Sequence, residues 1–159
     1  MKIIQSDSIR AGLGTVTASG ANDTPAMMVE YEVKTGDTFD ATSVIELCEL
    51  PRNYQVHDLI DCSEDVDGDD AMTSRIGMMY GNPYDTVFAN RTSGGVIGDE
   101  FLPTGKATTV GNVRRMERAS SFAQPANEVK RSIGYQIVAA PTDLTVGKKV
   151  RVRVELRPI

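Results

Sequence analysis

Ten residues, DCSEDVDGDD at 61–70, gather six carboxylates and are the stretch of this sequence best supplied for chemistry. Closely spaced acidic oxygens are the raw material of calcium loops. With Gly68 in the sixth place of an EF-hand loop, Ser63, Asp65, Asp67 and Asp69 would fill positions one, three, five and seven. Ser74 would then stand where a bidentate glutamate closes the loop, so the match fails. The expected role is a solvated turn whose like charges keep a sheet end soluble. The functional alternative is a weak, irregular cation loop with Glu64, Asp65, Asp67 and Asp69 as ligands.

Other catalytic equipment is sparse. His57 is the single histidine and lies between Val56 and Asp58 on an expected strand. There an outward-facing or hydrogen-bonded imidazole is the expectation, rather than a general base. No GxSxG elbow accompanies it, and a histidine-based metal site would need more ligands. The glycines of GLG at 12–14 and SGG at 93–95 lack the helix and lysine of a phosphate cradle. Paired carboxylates for glycoside hydrolysis cannot be placed from spacing, and a chain with no tryptophan is poorly supplied for sugar stacking. Cys48 and Cys62 have no CxxC spacing and are expected as buried free thiols, the alternative being a disulfide between neighbouring strands. No catalytic residue, metal or cofactor is expected.

The second unusual feature is the closing segment VGKKVRVRVELRPI. Val150, Val152, Val154 and Leu156 alternate with Arg151, Arg153, Glu155 and Arg157, the period-two pattern of a strand with one face buried. The outward row is expected either as a solvated face with edge-protecting charge or as a surface meeting carboxylates on a neighbouring copy or partner. Arg151, Arg153 and Arg157, with Arg114 and Arg115, are the candidate partner-binding residues. Net charge is −5 but unevenly spread: residues 37–70 are strongly acidic, and bases dominate from Lys106 onward. That polarity suits head-to-tail or surface docking more than nucleic-acid binding, for which the chain would be basic overall.

The elements that must carry these residues read as short strands. With 159 residues, 40% apolar and 25% charged, one folded domain is expected. Residues 1–26, rich in Gly, Ser, Thr and Ala, suit an extended N-terminal arm, with a β-body over 27–159. Val29, Tyr31 and Val33 alternate with glutamates in one strand; SVIELCELP offers apolar residues on both faces; YQVHDLIDC is expected to follow it as the second strand of a pair, through the turn PRN. AMTSRIGMMYG, SIGYQIVAAP and the terminal segment supply three more. One short strand near 84–89 and one short helix around Val110, Val113 and Met116 are also expected. The result is an all-β chain, a single antiparallel β-sandwich (jelly-roll or Ig-like) or a barrel, with at most one short helix. No apolar run approaches the roughly 18 to 20 residues of a membrane span, and the N-terminus does not read as a signal peptide.

Taken together, VIELCELPRNYQVHDLIDCSEDVDGDDAMTSRIGMMYG and SIGYQIVAAPTDLTVGKKVRVRVELRP resemble head decoration, or cement, proteins of tailed bacteriophages. The matching pattern is an apolar strand ending in LP, a strand carrying HDLIDC, an acid-rich loop, a strand of pattern hGhhYG and a final AAPT…VRVRVELRP pair. The resemblance covers about 70 residues; residues 82–131 fall outside it, where partner-specific loops are expected on a rigid scaffold. It implies a non-enzymatic virion protein on the capsid exterior, with the major capsid protein as partner, no nucleic acid or membrane, and a homotrimer. Another virion position, such as head fibre base, head-tail connector or tail, is the nearest alternative, followed by a secreted sugar- or calcium-binding module. Many weak contacts made by one bridging protein give lasting attachment through avidity, which requires no active site.

Overall fold

The computed structural model describes residues 2–6, 26–82, 85, 87, 90–91, 97–106, 113–117 and 131–158. Nine strands run in the order β1 (Ile3–Gln5), β2 (Ala26–Glu32), β3 (Val44–Leu50), β4 (Tyr54–Asp61), β5 (Thr73–Tyr80), β6 (Leu102–Lys106), β7 (Arg114–Arg115), β8 (Arg131–Ala139) and β9 (Lys149–Pro158). They form two sheets, one ordered β1-β3-β8-β5-β6 (sheet A) and the other β2-β9-β4-β7 (sheet B). The pairs β2·β9, β3·β8, β4·β7 and β5·β6 are all antiparallel and nest like the two halves of one folded ribbon. The pairs β4·β9 and β5·β8 then join adjacent turns of the ribbon within each sheet. Only β1, which pairs with β3, runs parallel to its neighbour.

Alternation explains the packing. On β9 the even-numbered residues Val150, Val152, Val154 and Leu156 are buried and the odd-numbered ones face outward. Val29 and Tyr31 of β2 and Val56 and Leu59 of β4 complete the inner face of sheet B. They share one apolar core with Ile45, Leu47, Ile76, Met78, Ile133 and Tyr135 of sheet A, so the sheets face each other and do not close into a barrel. The β2–β3 connection begins in a turn in which Asp37 Oδ2 accepts from Lys34 N (2.8 Å) and Tyr31 Oη (2.6 Å), with Gly36 at φ 88°.

Three expectations need correcting. The segments 43–51 and 54–61 do not pair: Pro51 and Asn53, the latter at φ 61°, carry the chain from sheet A into sheet B. β9 lies between β2 and β4, so its charges do not protect an edge. In place of the expected helix, Arg114–Arg115 are extended and pair with Ile60 and Asp61, while Val110 and residues 118–130 lie outside the described residues. No α-helix occurs among the described residues. Asp85 and Val87 are not in a strand, and the rest of 83–89 lies outside the description. So does most of the expected N-terminal arm, of which Ile3–Gln5 form β1.

Candidate assembly surface

The two outer faces of the molecule differ. That of sheet A is covered, among the described residues, by Arg91 and by Ile97–Phe101. Gly77 and Gly134 stand directly opposite each other on β5 and β8. A Cβ on Gly77 would lie 1.9 Å from the Gly98 carbonyl oxygen, and one on Gly134 would meet Met79 at 2.8 Å. Glycine at both places lets the segment lie flat on the sheet, with Ile97 packed on Val44 and Met79. Glu100 Oε2 accepts from Met78 N at 3.0 Å, and Tyr80 N donates to Arg91 O at 2.9 Å.

Arg91 fixes this cover. Its side chain and that of Glu46 are both 0% exposed and form an ion pair. Ser132 Oγ donates to Glu46 Oε1 (2.5 Å) and accepts from Arg91 Nη2 (2.9 Å). Arg91 Nε and Nη1 donate to the Tyr80 and Asp85 carbonyls at 2.7 and 3.0 Å. Every member has partners, which a charge at this depth requires. The sequence reading did not single out this cluster: Glu46 looked like one of many acids. A polar residue at an outward position of a strand whose two faces both read as apolar was the available signal.

The outer face of sheet B is bare among the described residues and carries the predicted row. Glu32 and Glu30 on β2 stand opposite Lys149 and Arg151 on β9. Arg151 Nε donates to Glu30 Oε1 at 2.6 Å, and Lys149 Nζ to Glu30 Oε2 at 3.1 Å. These bonds, that from Lys149 foremost, hold the Glu30 carboxyl below the usual glutamate range. Arg153 pairs with Glu155, and Arg157 stands opposite Gln55, whose amide oxygen can accept from Nη2 at 2.6 Å. On β7, Arg115 Nη2 donates to Asp58 Oδ2 at 2.6 Å; the bond lowers the Asp58 pKa and raises that of Arg115. Each candidate cation on this face therefore already has a partner within the chain. Cross-strand pairs of this exposure are worth about 0 to 1 kcal/mol each, so they remain exchangeable.

Arg114 is a different case. Its guanidinium reaches inward from β7 to Asp61 Oδ2 (2.6 Å) and to Ser74 O and Oγ (2.9 and 2.6 Å), tying the two sheets together. Asp61 is fully buried and also accepts from Ser63 N and Oγ. This geometry makes Arg114 a brace within the fold, and the outward-facing cations among the five candidates are Arg115, Arg151, Arg153 and Arg157.

The acidic loop is similarly self-engaged. Asp67 is buried and accepts from Met72 N (2.6 Å) and Asp143 N (3.2 Å), Asp69 accepts from Thr142 Oγ1, and Glu64 accepts from Lys149 N (3.0 Å). Among the described residues no group of three or more His, Cys, Asp or Glu side chains could hold a metal. His57 is exposed, at the bulge between Val56 and Asp58. Both cysteines are free: Cys48 is buried, its thiol pushed up to about 12 by burial, and Cys62 is partly exposed, its Sγ 3.9 Å from Met28 Sδ.

No family model matches the chain, and no curated protein does. Among solved structures, a chain of the capsid of Ralstonia phage GP4 aligns with 99% of this chain and 98% of its own length, at 26% identity and a TM-score of 0.76. A chain of the cyanophage Pam1 capsid asymmetric unit aligns over 91% of this chain and 92% of its own, with a TM-score of 0.57; at 12% identity it speaks to the fold alone.

Proposed function

We propose that this chain is a structural protein of a phage virion that binds the capsid exterior and cements neighbouring subunits of the shell. The observation carrying this reading is the end-to-end likeness, at 26% identity, to a chain of the GP4 phage capsid. The role is structural, not enzymatic. The layout of the molecule supports it: one sheet face is covered by its own chain, and the other is an open, charge-laddered surface centred on β9. The nested strand pairs support a β-sandwich of jelly-roll topology for residues 27–159, and the N-terminal arm over 1–26 lays Ile3–Gln5 along β3. Arg151, Arg153, Arg157 and Arg115 set orientation on the partner, the major capsid protein, by exchanging carboxylates, and a trimer would match a local threefold of the shell.

Cosedimentation with empty shells of the phage that encodes the chain, prepared without it, tests the reading. Saturable binding with a fixed number of copies per shell is expected. A protein found only at the tail or connector of intact virions, and absent from such shells, would transfer the role to another virion position.

A further inference from the structure

We propose that copies of this chain meet head to tail, the outer edge of β2 in one copy docking against the outer edge of β7 and its neighbouring cleft in the next. The inference deepens the virion reading by naming the surface through which copies meet, and rests on it only for the ring of three.

Sheet B has an even number of strands with every neighbouring pair antiparallel, so β2 and β7, its two edges, run in opposite directions. Placing β2 of a second copy beside β7 therefore continues the sheet in its own antiparallel sense. Among the described residues neither strand has a partner on its outer side. The two edges also differ in charge. Across the outer face the strands alternate in dominant charge: acids on β2 (Glu30, Glu32), mostly bases on β9 (Lys149, Arg151 and Arg153, with Glu155 opposite Asp58), an acid on β4 (Asp58) and a base on β7 (Arg115). The next column in that alternation is acidic, and β2 of a second copy supplies it. Asp58 engages only Nε and Nη2 of Arg115, whose side chain is still 68% exposed, so the guanidinium keeps donors for a second carboxylate.

Two of the exposed large apolar residues sit at these edges: Met28 on β2, 48% exposed, and Val113 beside β7, 62% exposed. Next to Val113 a cleft of about 500 Å³ opens between the edge strands β6 and β7, lined by Phe101, Leu102 and Pro103 together with Asp99, Arg115 and Glu117. With Glu30 opposite Arg115, the antiparallel register brings Met28 opposite Glu117 at the cleft and Glu32 opposite Val113. Because the two patches are different surfaces, the contact is heterologous, and it closes into a ring when the rotation between copies permits.

The test is native mass by size exclusion with light scattering across a dilution series, for the wild-type chain, Glu32→Arg, Arg115→Glu, the double swap and Val113→Glu, each checked for an unchanged melt. The wild type is expected as a multimer that dissociates on dilution. Each single change is expected to raise the dissociation concentration by on the order of tenfold, and the double swap to return it towards the wild-type value. Because Arg115→Glu places a carboxylate beside Asp58 and could disturb the fold, Glu32→Arg and Val113→Glu, both at exposed sites, each stand as independent tests. A wild type that is monomeric throughout, or a multimer indifferent to these changes, overturns the proposal. Shells that fail to bind an edge-dependent multimer would remove the cementing role and leave this contact standing.

Discussion

Replacing Arg91 with methionine attacks the buried cluster that fixes the cover of sheet A. The change strands the Glu46 carboxylate at 0% exposure with Ser132 Oγ as its remaining donor among the described residues, and it leaves the Tyr80 and Asp85 carbonyls without Arg91. Breaking a buried pair from one side costs about 3 to 5 kcal/mol. In a chain of this size each kcal/mol lowers Tm by about 2 to 4 °C, so a drop of about 6 to 20 °C is expected. The companion variant, Arg91→Met with Glu46→Met and Ser132→Ala, removes the stranded groups together. It is expected to regain most of the loss, since apolar replacement of a whole buried pair is often neutral. Calorimetry or circular dichroism melts at neutral pH read both. A single variant within about 2 °C of wild type would refute the assignment of a desolvated, mutually dependent pair, as would a triple variant no better than the single.

Gly77→Ala would push a methyl to within 1.9 Å of the Gly98 carbonyl, so a loss of about 1 to 3 kcal/mol is expected, read by thermal melt; an unchanged melt would show that the cover does not lie flat on β5. In the native protein at pH 8 a thiol reagent is expected to modify Cys62 slowly and Cys48 not at all, and both after unfolding; rapid native labelling of Cys48 would contradict its burial. Glu30 and Asp58 have carboxyl pKa values lowered in the fold by Lys149, Arg151 and Arg115. Their contribution is therefore fully present above the unfolded values and is lost as pH falls below about 4 through the folded ones. Tm measured from pH 7 to 3 is expected to fall in that window, and less steeply in Arg115→Met. An equal acid slope in the variant would remove the Asp58–Arg115 pair from the account of stability.

The strands were legible where one face met water. Val150 to Leu156 on β9 and Val29 and Tyr31 on β2 announced themselves by alternation, because an exposed face leaves polar residues at every second place. The covering of both faces of β3 was also readable from VIELCEL. The partners of these strands were not. Segments 43–51 and 54–61 looked like a hairpin because a short turn joins them, yet the chain switches sheets there, and long-range pairing leaves no local mark. β7 was hidden for a related reason: two paired residues are too few to show a period, and Val110, Val113 and Met116 happened to fall at helical spacing. Of the candidate cations, the sequence placed Arg151, Arg153 and Arg157 on one outward row. It could not reveal that Arg114 turns inward to Asp61, or that Arg91 lies buried against Glu46, since both depend on residues more than 40 positions away.

The cementing role meets its most direct test in the thermal disruption of empty shells, followed by release of a dye-excluding signal, with and without the purified chain at saturating stoichiometry. A rise in disruption temperature that scales with occupancy, and that shrinks when Arg151 and Arg153 are both changed to glutamate in a chain that still folds, is expected. Bound chain that leaves the disruption temperature unmoved at full occupancy would contradict the role.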